Sequence, residues 1–156
     1  LVSDEIVLDL IQKSLEQIDD QKGFLLDGYP RNINQAKSLN LILDSIDRPL
    51  EHTVLIDVDA EILMKRLSGR RTCSLTGKTL NIYFSPEKEI EDCIASGGEL
   101  IQRDDDNIES ISKRIAVYCE QTEPMIEFYR ESGILQVVNG EGSIEEVYKR
   151  LLSKIN

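Results

Sequence analysis

One stretch near the beginning of the chain limits the fold more than any other. Residues 23–26 form a short continuous apolar run, which is typical of a strand buried on both faces. The run ends at Asp27, Gly28 and Pro30, and a segment with helical spacing follows. In open α/β sheets, ligands bind at the carboxyl ends of the strands. The sequence therefore predicts an α/β fold with a ligand site at this turn.

The side chains of this turn suit a phosphorylated ligand. Asp27 could hold a hydrated Mg²⁺, and Gly28 would allow a ligand to approach the backbone. Arg31 offers a planar fork that matches a phosphate. Gln35 follows one helical turn later, where its amide could bind the edge of a base.

The composition excludes several classes of protein. The chain has 156 residues and a net charge of −11, which argues against general binding to nucleic acids or anionic membranes. It contains no apolar run of membrane-spanning length and no signal peptide, so we expect a cytoplasmic protein. Its three cysteines are too few for a disulfide framework.

Strand and helix patterns alternate along much of the chain. Apolar residues recur at helical spacing from 33 to 43, and residues 52–59 read as a strand that precedes a helix over 60–69. A further strand is predicted at 134–138, followed by a capping box, Ser143-x-x-Glu146, at the start of the last helix. This rhythm predicts a parallel sheet flanked by helices.

A second group of candidate site residues consists of arginines. Arg66 and Arg70 lie four residues apart and so share one helical face, while Arg103 and Arg114 come later with acidic residues between them. Scattered arginines are commonly a solvated surface, and this interpretation stays open for each of them. Alternatively, gathered arginines stabilise a transferring phosphoryl group by charge and position, without a covalent nucleophile.

Together these motifs resemble the adenylate kinases and related nucleoside monophosphate kinases. The resemblance is carried by Phe24-Leu-Leu-Asp-Gly-Tyr-Pro-Arg31 with Gln35-Ala36, by Arg66-x3-Arg70-Arg71, and by Gln102-Arg103-x-Asp105-Asp106 with Arg114. It covers nearly the whole chain. It implies a P-loop NTPase-type parallel sheet flanked by helices, with a small β lid subdomain inserted.

The resemblance also implies a role for each candidate residue. The implied catalytic residues are Asp27, Arg66, Arg70, Arg103 and Arg114, with Asp27 holding Mg²⁺ through water. The implied AMP-binding residues are Leu1, Val2, Gly28, Arg31, Gln35, Arg103 and Arg114. The implied ATP-binding residues are Arg66, Arg70, Thr79, Leu80 and Gly142. Leu1 and Val2 would contribute backbone only, and the segment that begins with them reads equally well as a plain helix entry.

The lid is expected at residues 69–106, between core segments 1–68 and 107–156. Its closure would exclude water, which competes with the acceptor for the phosphoryl group. Where many relatives hold a zinc ion on two C-x2-C pairs, this chain has Cys73-x2-Thr76 and Cys93-x2-Ser96. Hydroxyls are poor zinc ligands, so we expect no structural zinc but a polar network or two neighbouring free thiols.

The predicted activity is Mg²⁺-dependent, reversible phosphoryl transfer in the intact protein, with ATP, AMP and ADP as its ligands and a monomer as its state. The reaction is ATP + AMP = 2 ADP. The 156 residues contain no Gly-x-x-x-x-Gly-Lys loop, so this stretch alone is expected to be inactive and to belong to a longer protein. The alternatives are a UMP/CMP-type kinase and a noncatalytic nucleotide-binding fragment.

Overall fold

A computed structural model describes residues 3–19 and 22–155 of the chain. Its α-helices are α1 (Asp4–Glu16), α2 (Ile33–Ser45), α3 (Ala60–Ser68), α4 (Glu87–Ala95), α5 (Ile108–Val117), α6 (Pro124–Glu131) and α7 (Ile144–Ile155). Its strands are β1 (Thr53–Asp57), β2 (Arg70–Cys73), β3 (Thr79–Asn81), β4 (Leu100–Ile101) and β5 (Leu135–Asn139). A 3-10 turn covers Asp104–Asp106, and a π-helical segment covers Tyr118–Thr122. Among these described residues, no helix is long and apolar enough to cross a membrane.

Strands β1 and β5 form a two-stranded parallel sheet. At their beginnings, the Thr53 N–H donates to the Ile134 carbonyl over 2.9 Å. At their ends, the Gly140 N–H donates to the Asp57 carbonyl over 2.7 Å. Residue numbers therefore rise together along the two strands, which means that the strands run in one direction. This confirms the predicted α/β class, because α3 directly follows β1 and α7 follows β5.

The described residues group into two compact units, and the first comprises 3–19, 22–55, 117–138 and 151–155. Its core contains two clusters. Leu15 of α1 packs with Leu39 and Leu43 of α2, and all three are buried. Ala36 of α2 packs with Met125 and Tyr129 of α6. The apolar spacing that predicted a helix over 33–43 therefore marks the face that α2 presents to two neighbours.

The prediction of a buried strand at 23–26 is wrong. These residues form no strand, and the Leu25 side chain is 83% exposed. Phe24 and Leu26 instead pack against the cluster around Leu39, so alternate side chains are partly buried on one side only. A strand needs a neighbouring backbone for its hydrogen bonds, and the sheet of β1 and β5 does not include this segment. The apolar run at residues 23–26 therefore packs on one side only and forms no hydrogen bonds of a sheet.

The second unit comprises residues 56–116 and 139–150. It contains a three-stranded antiparallel sheet in the order β3-β2-β4. Arg70 pairs with Asn81 and Thr72 with Thr79 on one side of β2, while Cys73 pairs with Leu100 on the other. This sheet and α4 fall within the segment that the sequence assigned to the inserted lid. The limits of that segment, 69–106, stay a prediction.

Cysteine chemistry in this sheet differs from the expectation of two free thiols. Cys73, at the end of β2, forms a disulfide with Cys93 of α4. Their Cα atoms lie 6.2 Å apart, within the range that a disulfide requires. Both are buried with Leu80 in a small apolar cluster, so the bond joins the helix to the sheet. Cys119 has a free, exposed thiol.

Candidate functional site

The turn after residue 26 has a backbone that only certain residues allow. Gly28 has a φ of 70°, in the left-handed region that favours glycine, and the Tyr29–Pro30 peptide bond is cis. Arg31 folds back over this turn, and its Nε donates to the Gly28 carbonyl over 2.8 Å. The guanidinium is thereby oriented through one edge, while the Arg31 residue remains exposed. Asp27 is also exposed at the start of the turn.

Gln35 is held at both ends of its amide. Its Oε1 accepts from the Arg31 backbone N–H at 2.7 Å, and its Nε2 donates to Asp4 Oδ1 at 2.8 Å. Asn32 caps α2 by accepting from the Gln35 backbone N–H. The structure therefore brings together Gly28, Arg31 and Gln35, which the sequence predicted for one ligand. Leu1 and Val2 lie outside the described residues.

The predicted arginines and donor-side residues lie in the second unit. Arg70 forms a two-point ion pair with Asp106, in which Nε donates to Oδ2 over 2.8 Å and Nη2 donates to Oδ1. The Asp106 side chain has no exposed surface, whereas that of Arg70 is 24% exposed. Hydrogen bonding to Arg70 holds the pKa of the Asp106 carboxyl below its usual range, against the opposing effect of burial. Both groups are therefore charged at neutral pH.

The positive charge near Arg70 is closely balanced by acids. Arg114 Nη1 lies 3.7 Å from Asp105 Oδ2 and 3.9 Å from Asp106 Oδ1, and its side chain is about half exposed. Arg103 is exposed and immediately precedes the 3-10 turn of three aspartates. Arg103 and Arg114 are thus exposed to solvent, whereas Arg70 faces its buried carboxylate.

Arg66 is directed by a glycine carbonyl and an aromatic ring. Its Nη2 donates to the Gly140 carbonyl over 3.1 Å, and its guanidinium carbon lies 6.0 Å from the centre of the Phe84 ring. The Asn81 amide donates to the Arg66 carbonyl over 2.8 Å, which ties the end of α3 to β3. Arg66 therefore projects from a helix whose end is fixed to the antiparallel sheet.

The predicted donor-contacting pair has one exposed and one buried side chain. Thr79 is exposed, whereas Leu80 is 3% exposed within the disulfide cluster. Leu80 could therefore offer a ligand its backbone but not its side chain. Beside it lies a cavity of about 200 Å³, whose lining includes all four positions that were matched to the zinc ligands: Cys73, Thr76, Cys93 and Ser96. Among the described residues, no three His, Cys, Asp or Glu side chains are arranged to hold a metal ion.

Gly142 lies in a loop that is fixed at both ends. It has a φ of 100°, and the capping box follows it directly. The Ser143 N–H donates to Glu146 Oε2 over 2.7 Å, while the Glu146 N–H donates to Ser143 Oγ over 3.3 Å. This confirms the predicted capping box. Arg150 Nη1 also donates to the Asn139 carbonyl over 2.9 Å, so α7 holds the loop in shape.

Comparison with known proteins identifies the family. The adenylate kinase family model matches residues 1–134. The chain is 48% identical over 151 residues to a protein of Thermodesulfovibrio yellowstonii named adenylate kinase, covering 97% of this chain and 70% of that protein. The chain belongs to the adenylate kinase family. Adenylate kinases of Bacillus subtilis and Nitrosococcus oceani are each 45% identical to it, over 95% and 97% of this chain and 68% and 70% of theirs.

Membership in the adenylate kinase family confirms the resemblance inferred from the motifs. The protein is thus a nucleoside monophosphate kinase, a transferase with a P-loop NTPase-type α/β fold. Sequence reasoning missed three contacts at or beside the predicted site residues. Asp4 accepts from Gln35, Asp106 accepts from Arg70, and Arg150 donates to the Asn139 carbonyl beside the Gly142 loop. The run of acids between Arg103 and Arg114 was a signal for the second of these. Nothing in the spacing of Asp4 and Gln35 pointed to the first.

Proposed function

We propose that the intact protein transfers the γ-phosphoryl group of Mg·ATP to AMP, reversibly, giving two molecules of ADP. Family membership supports the reaction type. The observation that carries the acceptor assignment is the joint placement of Arg31 and Gln35 around the turn at Gly28. Arg31 can bind the phosphate and Gln35 can bind the base, which are the opposite ends of a nucleoside monophosphate.

On the acceptor side, Arg31 binds the AMP phosphate. Its Nε is occupied by the Gly28 carbonyl, so the two Nη groups form the edge that meets the phosphate oxygens. Gly28 has no side chain to keep a ligand from this edge. Gln35 binds the adenine, while Leu1 and Val2 add backbone contacts.

On the donor side, arginines stabilise the charge that spreads over the transferring phosphoryl group. Arg66 and Arg70 act on ATP, and Arg103 and Arg114 act on both the transferring group and AMP. Support comes from the exposed guanidinium of Arg114, which is only loosely paired with Asp105 at 3.7 Å. Thr79, the Leu80 backbone and Gly142 bind the remainder of ATP.

Magnesium enters with the nucleotide. A single carboxylate such as Asp27 suits an ion that keeps most of its water and takes its other ligands from phosphates. The exposure of Asp27 leaves room for that hydration shell. The antiparallel sheet of β2, β3 and β4 with α4 serves as the lid that excludes water. We further propose that the protein acts as a cytoplasmic monomer.

The test is a coupled assay of ADP formation, with the mass of the intact protein verified beforehand. ATP is supplied with AMP, UMP or CMP, and we expect AMP to give the highest kcat/KM. The variant Arg31→Ala should raise the KM for AMP about 10- to 100-fold, because a charged hydrogen-bonding group is lost. The KM for ATP should change little.

The matched control is Lys37→Ala, which removes an equal charge from the exposed surface of α2, the helix that follows Arg31. It should leave both KM values within about twofold, since weak surface charges contribute little. Preference for UMP or CMP would reassign the protein to another monophosphate kinase. Nucleotide binding without turnover of any monophosphate would overturn the kinase assignment and leave a noncatalytic nucleotide-binding protein.

A further inference from the structure

We propose that Asp4 sets the base specificity of the acceptor site by fixing the orientation of the Gln35 amide. The proposal rests on the proposed function, in which Gln35 binds the acceptor base. Asp4 is a positioning residue in this scheme, because it acts on the base only through Gln35. The expected result is a preference for bases with an exocyclic amino group over bases with an oxo group at the same position.

Gln35 makes one hydrogen bond at each end of its amide. Its Nε2 donates to Asp4 Oδ1 over 2.8 Å, although Asp4 lies 31 residues earlier in the chain. Its Oε1 accepts from the backbone N–H of Arg31 over 2.7 Å. Asp4 is the first residue of α1, and Gln35 lies in the first turn of α2. The two bonds therefore reach the amide from two separate elements.

Both partners of the amide have fixed hydrogen-bonding chemistry. A backbone N–H can only donate, and an ionised carboxylate can only accept. Rotating the amide by half a turn would face Nε2 with the N–H of Arg31 and Oε1 with the carboxylate of Asp4. Two attractive contacts would become two repulsive ones. The Gln35 amide is therefore restricted to a single orientation from both ends.

The backbone that supplies the Arg31 N–H is itself held in place. The Arg31 carbonyl accepts from Thr122 Oγ1 over 2.8 Å. The Arg31 side chain donates back to the Gly28 carbonyl over 2.8 Å. Asn32 caps the helix through the Gln35 backbone N–H over 2.9 Å. The amide orientation is thus set by a rigid turn on one side and by Asp4 on the other.

The two internal bonds leave half of the amide for a ligand. An amide has two donor hydrogens and two acceptor lone pairs, so one of each remains on Gln35. Because the amide oxygen and nitrogen are bonded to the same carbon, a ligand that binds both meets an acceptor and a donor in a fixed order. A base must present its acceptor and donor in the complementary order to form both bonds.

A base with an exocyclic amino group and a base with an oxo group at the same position present their hydrogen-bond donor and acceptor in opposite orders. Adenine has an amino donor beside a ring nitrogen acceptor, and hypoxanthine has an oxo acceptor beside a ring N–H donor. Cytosine matches adenine, and uracil matches hypoxanthine. A site that hydrogen-bonds one order rejects the other because its own polar groups would be left unpaired. AMP and IMP, which share the same ribose and phosphate, are therefore the matched probes.

The experiment compares AMP and IMP as acceptors for ATP with the intact protein and with Asp4→Asn. An asparagine of the same shape can donate as well as accept, so it permits either orientation of the amide at this end. We expect the ratio of kcat/KM for AMP to that for IMP to fall about fivefold, mainly because of changes in KM. This is the size expected for the loss of one exposed charged hydrogen bond. Asp4→Glu, which still only accepts, should restore part of the ratio.

The control is Glu5→Gln, which removes the neighbouring acid on the same helical turn and should leave the ratio unchanged. If Asp4 serves only to connect α1 to α2, Asp4→Asn will lower kcat/KM equally for AMP and IMP, or it will lower thermal stability alone. In either case the ratio of the two kcat/KM values stays unchanged, and that result overturns the proposal. If the unaltered protein shows no AMP-dependent turnover, the proposed function fails first. The two failures are therefore distinguished by the unaltered protein.

Discussion

Arg70 and Asp106 form a two-point ion pair in which the carboxylate is fully removed from water. A buried pair of this kind adds little net stability over an apolar pair, because both groups lose their hydration. Its effect is on geometry. The Nε hydrogen and one Nη2 hydrogen of Arg70 are donated to Asp106. Only the two Nη1 hydrogens and the second Nη2 hydrogen therefore remain for a ligand. Asp106 therefore determines the orientation of the Arg70 guanidinium.

Replacing Asp106 by Asn should destabilise the protein by about 3 kcal/mol. The asparagine amide cannot accept at both positions, so Arg70 keeps its charge without its partner. Chemical denaturation at neutral pH measures the change. Asp105→Asn is the control: its side chain is 63% exposed and 3.7 Å from Arg114, so the loss should stay below about 1 kcal/mol. Equal losses in the two variants would contradict the importance of burial.

The same pair gives stability a defined pH dependence. The pKa of Asp106 is lowered in the folded state from its ordinary value of 3.8, chiefly by hydrogen bonding to Arg70. Its contribution is therefore complete above about pH 3.8 and is lost as the pH falls through the lower folded pKa. The free energies of unfolding of the unaltered protein and of Asp106→Asn should converge once the pH lies below the folded-state pKa of Asp106. A gap that stays constant into this acid range would show that the carboxylate charge is not the cause.

Sequence reasoning predicted those parts of the molecule that depend on local patterns. The helix over 33–43, the strand at 52–59 and the capping box at Ser143 each follow from spacing or a local hydrogen bond, and each is confirmed. The grouping of Gly28, Arg31 and Gln35 also followed, because they lie within eight residues of one another on one turn and helix.

The features that were missed depend on partners distant in sequence. Residues 23–26 have the composition of a strand, but a strand exists only where another backbone lies beside it, and Leu25 is solvent-exposed here. The Cys73–Cys93 bond requires α4 to fold onto the end of β2. The bond from Gln35 to Asp4 joins two helices whose separation no periodicity specifies. These contacts arise from tertiary packing.

Gly140 should tolerate no side chain. A Cβ there would lie 2.5 Å from Ile56 Cγ2 and 2.6 Å from Val58 Cγ2, both on stiff β-branched side chains. Gly140→Ala should cost about 2 kcal/mol of stability by overpacking. It should also lower kcat, because the displaced carbonyl is the acceptor for Arg66. Thermal unfolding and the coupled assay measure the two effects.

Gly23→Ala is the matched control for this overpacking. A Cβ at Gly23 would have no atom within 4 Å, and the backbone there is not left-handed. Its stability should change by less than about 1 kcal/mol, with a gain expected from the stiffer unfolded chain. If both alanine variants behave alike, close packing around Gly140 is not the cause.

Reduction of the Cys73–Cys93 bond should weaken the antiparallel sheet. The bond closes a loop between residues 20 apart in sequence, for which chain entropy predicts a stabilisation of about 3 kcal/mol. Hydrogen exchange of β2, β3 and β4 should accelerate when a dithiol reductant is added. In a variant with serine at both positions the reductant should have no further effect.

Alkylation followed by mass measurement tests the bond directly. Without reductant, the unfolded protein should take up one alkyl group, on Cys119, which has the free thiol. With reductant it should take up three, the total cysteine count. Three groups without reductant would contradict the disulfide. Cys119→Ser should leave the exchange rates of the sheet unchanged.

Removing the hydroxyl of Tyr129 should leave the protein as stable or stabilise it by up to about 1 kcal/mol. The side chain is 1% exposed, and within the described part of the chain its hydroxyl has no hydrogen-bond partner.

Burial raises the pKa of Tyr129 to about 12 from 10.0, so the unfolded chain ionises first and stability falls as the pH rises from 10 toward 12. Tyr129→Phe should lessen this alkaline loss in denaturation experiments, whereas Tyr83→Phe, on a side chain 57% exposed, should not. A loss of several kcal/mol in Tyr129→Phe would reveal a partner for the hydroxyl, such as a bound water.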